Sequence, residues 1–143
     1  MTTCVFCDII AGHTSATIVH QDDAAVAFMD IQPVNPGHVL IIPRTHATYL
    51  ADLDEATGAH LFAVAMRVAA ALRRSGLPCE GVNLFLADGE SAGQEVFHVH
   101  LHVIPRFRSD GFGLRFGPDY RVRSRAELDE IGVRIRAALE RGS

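Results

Sequence analysis

The sequence contains no lysine: its 13 basic residues are all arginine, and 17 acidic residues outnumber them, which gives a net charge of −4 at pH 7. An acidic balance provides no general attraction to nucleic acid or to an anionic membrane surface. No apolar run approaches the roughly 18 residues that span a bilayer. The opening Met1–Cys4 also lacks a basic region followed by an apolar stretch, the pattern of a secretion signal. We therefore expect a cytoplasmic protein with neither a nucleic-acid nor a membrane partner.

Cysteine is scarce as well, with three residues in the chain. An odd number without a secretion signal argues against a framework of disulfides. Cys4 and Cys7 form a Cys-x-x-Cys pair, and Cys79 stands alone as a small buried residue or a bystander. Such a pair can bind zinc or perform redox chemistry. The redox interpretation is weakened because the sequence shows no βαβ pattern of the thioredoxin-like kind.

Hydrophobic periodicity divides the chain into short strands and a few helices. The predicted helices cover residues 4–11, a stretch from the start signal at Asp52 and Glu55 to near Gly76, and a stretch capped by Ser124 and Glu127. The predicted strands are residues 17–20, 24–29, 38–43, 81–87 and 97–105. The run 38–43 is apolar throughout, which is typical of a central strand. We expect one α+β domain over residues 1–143, with a mostly antiparallel five-stranded sheet and two main helices.

The stretch 97–105 alternates histidine with aliphatic residues, which predicts a strand with His98, His100 and His102 on one face. Its aliphatic face can pack into a core, but solvent exposure alone does not explain three histidines in register on the other face. Neutral imidazoles two residues apart can bind one metal ion. Alternatively, one imidazole attacks an electrophile while its neighbours handle protons and charge. The strand alone leaves both chemistries open.

The motif His98-x-His100-x-His102 resembles the motif of the histidine triad (HIT) family. Three further blocks resemble the same family in the same order: its opening at residues 6–10, its strand with a fourth histidine at 35–43, and its phosphate loop at 88–96. The resemblance covers most of residues 4–106 and implies a HIT-like fold. An irregular segment and a helix then occupy residues 107–143.

This resemblance implies that His100 attacks an α-phosphate and forms a nucleotidyl-imidazole intermediate. His102 and His38 would contact the phosphate oxygens and the leaving group. The backbone N–H groups of Gly93, Gln94 and Glu95 would face the phosphate. The other residues that it places at the nucleotide are Asp30 at the ribose hydroxyls, and Phe6, Ile9, Phe28 and Ile31 along a purine pocket that favours adenine.

Two positions depart from the family pattern. The family often has a hydroxyl residue where Glu95 stands, and a carboxylate beside a phosphate is unfavourable, so we expect this side chain to turn away. Family members also often carry an amide where this chain has Ala87. At the third triad position, galactose-phosphate uridylyltransferases carry Gln, so His102 favours the hydrolytic branches.

The resemblance also completes the cysteine pair. It implies that Cys4, Cys7, His46 and His98 hold one structural zinc, a Cys2His2 set that suits tetrahedral coordination. This assignment divides the triad, because His98 becomes structural while His100 and His102 carry the chemistry. No metal ion is then required for the reaction.

The function implied is a nucleotidyl hydrolase or transferase. It would release a nucleoside monophosphate, AMP above all, from a phosphoramidate, a dinucleoside polyphosphate or a related conjugate through the nucleotidyl-histidine. Two alternatives stay open: a nucleotide-binding or interaction module with incidental hydrolysis, and a mononuclear metal enzyme that uses the three strand histidines.

The family commonly pairs two domains through a helix and a sheet edge, which implies a homodimer. An apolar stripe on the first long helix, with Phe62 beside it, gives partial support. The stripe consists of Leu61, Val64, Val68 and Leu72. Three other histidines, His13, His20 and His60, belong to no motif, and we expect them to be exposed polar residues.

Overall fold

Five antiparallel strands form one sheet in the computed structural model, which describes residues 4–142. The strands are β1 (Ile18–Gln21), β2 (Ala25–Met29), β3 (Val39–Pro43), β4 (Gly81–Phe85) and β5 (Leu101–Arg106). Their order across the sheet is β1-β2-β3-β5-β4. The three α-helices are α1 (Val5–Ala11), α2 (Glu55–Arg74) and α3 (Arg125–Arg141). The predicted α+β class and five-stranded antiparallel sheet are confirmed.

Contacts divide the chain into two compact units, Met1–Phe112 and Gly113–Ser143. The first unit contains the whole sheet, α1 and α2, and the second contains α3. The single domain expected over residues 1–143 stays a prediction.

Strand β3 lies at the centre of the sheet, as its continuous apolar sequence predicted. All five of its residues are buried, and it pairs with β2 on one side and with β5 on the other. The register places Met29 opposite Val39 and Leu40 opposite His102. Strands β1 and β4 form the two edges.

Each face of the sheet carries its own apolar cluster. On one face, α2 buries the stripe Leu61, Val64, Ala65, Val68 and Leu72 against the sheet. The opposite face packs against α1 through a smaller cluster, which consists of Phe6, Ile9, Val26, Phe28, Leu40 and Ile42. Helix α1 ends where predicted, because Gly12 adopts a left-handed conformation with φ of 81°.

Helix α2 begins two residues later than the Asp52 signal suggested. Asp54 is the N-cap, and its carboxylate accepts hydrogen bonds from the N–H groups of Ala56 and Thr57. Asp52 instead closes a short 3-10 turn, where its carboxylate accepts a hydrogen bond from the N–H of Tyr49 at 3.1 Å. Both aspartates can cap a helix. Asp54 is the N-cap of α2 because its carboxylate reaches the first N–H groups of that helix, whereas the carboxylate of Asp52 reaches only Tyr49.

Strand β5 is shorter than the predicted strand 97–105, since His98 and His100 precede it. The reason is a long-range contact: the N–H of Val99 donates to the carbonyl of Ala47 at 2.8 Å instead of joining the ladder. Strand β4 likewise ends at Phe85, two residues before the predicted end.

In the second unit, α3 begins as predicted. The hydroxyl of Ser124 accepts a hydrogen bond from the N–H of Glu127 at 3.2 Å. The rings of Phe116 and Tyr120 stack with centroids 4.0 Å apart. None of the helices within residues 4–142 is long and apolar enough to cross a membrane.

Candidate functional site

A cavity of about 360 Å³ opens on the α1 side of the sheet. It brings together eight of the residues predicted for the site: Phe6, Ile9, Phe28, Asp30, Ile31, Glu95, His100 and His102. We call it the histidine cavity. Ile31 is 98% exposed, so it stands at the rim and offers little buried apolar contact. His38, Gly93 and Gln94 do not line this cavity.

The imidazole of His100 is held in one tautomer. Its Nδ1 lies 2.8 Å from the carbonyl oxygen of His98. A carbonyl can only accept, so Nδ1 carries the hydrogen and Nε2 keeps a free lone pair. The ring of Phe6 packs edge-on against this imidazole, with centroids 5.1 Å apart. His100 is therefore a buried, oriented imidazole with a nucleophilic nitrogen.

A backbone N–H fixes the tautomer of His38, and His38 in turn fixes the tautomer of His102. The N–H of Val34 donates to Nδ1 of His38 at 3.0 Å, so in neutral His38 the hydrogen is on Nε2. That Nε2 lies 2.9 Å from Nδ1 of His102 and donates to it. His102 consequently carries its own hydrogen on Nε2. The structure thus brings His38 to His102, and it lies behind the cavity wall with both of its nitrogens engaged.

Both of these histidines are neutral at pH 7. The pKa of His102 is lowered to about 4, chiefly by burial and then by the nearby imidazoles of His100 and His38, with Asp30 opposing the change. Burial also lowers the pKa of His38, again opposed by Asp30. The site therefore offers neutral N–H donors rather than resident cations.

The two carboxylate oxygens of Asp30 have different partners. One carboxylate oxygen accepts the N–H of Gln32 at 2.8 Å and forms the local turn. The other oxygen lies 3.5 Å from Nε2 of His38. A carboxylate can accept about four hydrogen bonds, so Asp30 retains lone pairs for a ligand hydroxyl. Asp30 also lines the histidine cavity.

The predicted phosphate loop is organised by the side chain of Gln94. Its amide oxygen accepts the N–H of Gly89 at 2.8 Å, and its amide nitrogen donates to the carbonyls of Thr48 and Val96. The backbone N–H groups of Gly93 and Gln94 are also engaged within the loop, by the carbonyls of Glu90 and Gly89.

This geometry changes the expected phosphate contact. Within the described chain, the N–H groups of Gly93 and Gln94 already have partners, whereas that of Glu95 makes no hydrogen bond. Of these three residues, only Glu95 lines the histidine cavity. The loop therefore offers one N–H donor where the sequence suggested three.

A second cluster lies where α1 meets the chain before β5. The ligand atoms of Cys4, Cys7, His46 and His98 all lie within 4.8 Å of one another. Nε2 of His98 donates to the carbonyl of Pro43 at 2.9 Å, which leaves Nδ1 as its ligand atom. That Nδ1 lies 3.5 Å from Sγ of Cys4 and 3.6 Å from Sγ of Cys7.

These spacings fit one tetrahedral zinc ion. Zinc bonds of about 2.3 Å to sulfur and about 2.05 Å to nitrogen separate sulfur from nitrogen by roughly 3.5 Å, and two nitrogens by roughly 3.3 Å. Besides the two distances at His98, Sγ of Cys7 lies 3.4 Å from Nδ1 of His46. The two Nδ1 atoms are 3.1 Å apart. The four residues predicted as ligands are thus already arranged as a coordination shell.

The thiol of Cys7 resists ionisation by itself. Burial raises its pKa most, and the hydrogen bond with Cys4 and the charges of Cys4 and Asp8 add to the rise. Zinc binds thiolates, so loading the site requires release of these protons.

The geometry also bears on the alternative in which three strand histidines bind one ion. Nδ1 of His98 faces the cysteines, and the three triad histidines form no common ligand group among the described residues. A different group, Asp30, His38 and His102, does lie close together. Nε2 of His38 already carries a hydrogen, however, because Val34 occupies Nδ1, and a protonated nitrogen does not ligate a metal.

One polar cluster was not anticipated by the sequence. His20 and His60 both donate from Nε2 to the same carboxylate oxygen of Asp22 at 2.8 Å. Its other oxygen accepts the N–H groups of Ala24 and Ala25. The hydrogen bond from His20 leads the causes that hold the pKa of Asp22 well below its usual range. His20 and His60 are thus half-buried and paired, so the expectation that they are exposed polar residues was wrong for these two.

Comparison with known proteins supplies independent likenesses. A family model described as HIT domain matches residues 11–109. A HIT-like protein of Borreliella burgdorferi is 42% identical over 118 residues, which cover 82% of this chain and 85% of that protein. Cys4 and Cys7 lie outside the part of the chain that the family model matches.

Solved structures provide two further likenesses. A Zn-bound histidine triad family protein from Mycobacterium smegmatis is 43% identical, with a TM-score of 0.75 over 82% of this chain and 84% of that one. A histidine triad nucleotide-binding protein from Candida albicans is 28% identical, with a TM-score of 0.86 over 99% of this chain and 100% of that one.

Proposed function

The chain belongs to the HIT domain family, and from that premise we propose that it is a nucleotidyl hydrolase or transferase. Its substrate would be a nucleoside monophosphate, preferably AMP, joined to an amine, a phosphate chain or another group. One observation carries the proposal: Nε2 of His100 has a free lone pair inside the histidine cavity, because the carbonyl of His98 holds the hydrogen on Nδ1.

In the first step, Nε2 of His100 attacks the α-phosphorus and forms a P–N bond. The bond to the leaving group breaks and its electron pair goes to the leaving atom: an amine leaves from the N-protonated phosphoramidate and a phosphate chain leaves as its anion, while the Nε2–H of His102 donates a hydrogen bond to that atom. In the second step, a water oxygen attacks phosphorus and the P–N bond returns its electron pair to His100. The proton lost by that water passes to solvent, and His102 keeps its Nε2–H throughout.

His38 acts behind His102 in this scheme. Its Nε2–H donates to Nδ1 of His102, which keeps the opposite nitrogen of His102 protonated and directed toward the leaving atom. Neutral N–H groups suit this task, because it requires a hydrogen-bond donor directed at the leaving atom and not a transferable proton. We place His38 as a positioning residue for that reason.

The rest of the nucleotide would occupy the walls of the same cavity. Phe6, Ile9 and Phe28 form an apolar surface for a purine base, Asp30 would accept from the ribose hydroxyls, and the N–H of Glu95 would donate to a phosphate oxygen. Such a pocket should hold purines better than pyrimidines and discriminate weakly between adenine and guanine.

Zinc would have a structural task in this scheme. When bound to Cys4, Cys7, His46 and His98, it would fasten α1 to the chain that leads into β5. Support comes from the tetrahedral spacing of the four ligand atoms and from the Zn-bound family member. The reaction itself uses imidazoles and backbone donors and is routed through no metal.

The test is the covalent intermediate. Rapid mixing with adenylylated substrates, followed by intact-mass measurement, should detect an added nucleotidyl group in the wild type and none in His100→Ala, which should also lose turnover while binding AMP. His13→Ala is the matched control, since that side chain is exposed and makes no hydrogen bond. An adduct on another residue, or near-full activity of His100→Ala, contradicts the proposal. Slow turnover with every leaving group would favour a binding module.

We further propose a cytoplasmic homodimer with no nucleic-acid or membrane partner. Strand β4 is a sheet edge with exposed Leu84 and Phe85, and α2 exposes Phe62 and Met66. A second copy that covers both surfaces would bury them together. Light scattering at micromolar concentration should give twice the chain mass for the wild type and the chain mass for Phe62→Glu. A monomeric wild type refutes the dimer.

A further inference from the structure

The histidine cavity has an unusual charge for a phosphate site. The charged residues that line it are Asp30 and Glu95, and no arginine lines it among the described residues. The chain has no lysine to supply. His38 and His102 are neutral, as derived above. A bound phosphate therefore meets N–H donors and two negative charges rather than the resident cations common in sites for phosphate chains.

The two carboxylates differ in what they do. Asp30 is engaged by the N–H of Gln32 and lies near His38. Glu95 makes neither a hydrogen bond nor an ion pair within residues 4–142, and it is exposed. Its charge is therefore uncompensated by the protein, and it acts on whatever enters the cavity.

Glu95 lies where the histidine cavity meets two neighbouring cavities. It lines the histidine cavity together with His100 and His102, and it also lines a neighbouring cavity with Glu90 and Phe97. A third cavity places it with Asp8. The surface that continues from the reacting histidines past the phosphate loop is therefore acidic.

Resting on the proposed function, we propose that Glu95 is a specificity-determining residue that selects substrates by the charge of the leaving group. It favours a nucleoside phosphoramidate whose leaving amine bears a second, protonated amino group. It disfavours leaving groups that add negative charge, such as the phosphate chain of a dinucleoside polyphosphate. The carboxylate takes part in no bond-making step, and it acts through charge on the complex and the transition state.

The test compares three phosphoramidates of AMP whose leaving amines have the same length and carry an ammonium, a methyl or a carboxylate at the far end. The quantity measured is the ratio of kcat/KM for the cationic to the anionic substrate, from which general effects on turnover cancel. Two charge units separate these substrates, so the wild type should favour the cationic one by at least about threefold. Glu95→Gln should lower that ratio by at least about threefold, and added salt should lower it in the wild type.

Glu90→Gln is the matched control. It removes the same charge from the same loop, but Glu90 does not line the histidine cavity, so the ratio should fall less than in Glu95→Gln. An unchanged ratio in Glu95→Gln, an equal fall in Glu90→Gln, or a wild-type preference for the anionic substrate overturns the proposal.

Failure of the proposed function gives a different result. In that case the uncharged substrate is not turned over and no adduct forms. The selectivity is then measured as the binding affinities of the three conjugates to His100→Ala with and without Glu95→Gln, and the same change in ratio is expected.

Discussion

The low pKa of His102 predicts how the protein loses stability in acid. Burial, together with His100 and His38, lowers this pKa from 6.5 to about 4, so the folded protein binds the proton less readily than the unfolded chain does. Stability from this source is fully present above pH 6.5, and it is lost as the pH falls from 6.5 toward 4.

The magnitude follows from the two pKa values. At pH 5 the unfolded imidazole is almost fully protonated and the folded one is almost neutral, which corresponds to roughly 2 kcal/mol of lost stability. His102 is only half-buried, so solvent screening reduces this figure to about 1 kcal/mol.

The variant His102→Gln isolates the effect. A glutamine oxygen can accept the hydrogen bond from Nε2 of His38, but it cannot take up a proton. Urea unfolding at pH 7 and pH 5, with zinc retained, should show that the wild type loses about 1 kcal/mol more between the two pH values than the variant. Protonation of the zinc ligands affects both proteins and cancels in the comparison. Losses that agree within about 0.3 kcal/mol would refute the reasoning. His13→Gln should keep the wild-type loss.

Two further predictions concern the backbone and the metal cluster. Gly37 has φ of 99°, and an added Cβ would lie 3.0 Å from a leucine of α2, so Gly37→Ala should cost roughly 2–3 kcal/mol in urea unfolding. Gly12 has φ of 81°, and an added Cβ would have no neighbour within 4 Å. Gly12→Ala should therefore lower the free energy of unfolding only by the backbone strain of roughly 1 kcal/mol. Equal losses in the two variants would show that the contact of residue 37 with α2 is unimportant. The double change Cys4→Ser and Cys7→Ser should abolish zinc in metal analysis and lower the Tm by several degrees while AMP binding survives; zinc retained at one equivalent would rule out the site.

The parts of the fold that the sequence predicted are those with strong local periodicity. Strand β3 is central because its five residues are apolar on both faces, and α2 buries the stripe that recurs at helical spacing. The cap at Ser124 followed from the side-chain chemistry alone. In each case the signal lies within one element.

The parts that were missed depend on contacts between distant elements. His20 and His60 are 40 positions apart and share Asp22 as a hydrogen-bond partner. No local sequence pattern predicts this contact. The role of Gln94 depends on a carbonyl 46 residues earlier, at Thr48. Strand β5 begins later than predicted for the same kind of reason, because the N–H of Val99 donates to the carbonyl of Ala47, 52 residues earlier.

The period-2 spacing of His98 and His100 links the Cys/His cluster to the histidine cavity. The side chain of His98 faces the cysteines, while its backbone carbonyl holds the hydrogen of His100 on Nδ1. Phe6, between the two cysteines in sequence, packs against both imidazoles, with centroids 5.8 and 5.1 Å away. A metal that fixes His98 would therefore also limit the movement of the carbonyl that sets the tautomer of His100. Period-2 spacing makes this possible, because it puts the two imidazoles on one side of the chain while the peptide between them supplies the acceptor.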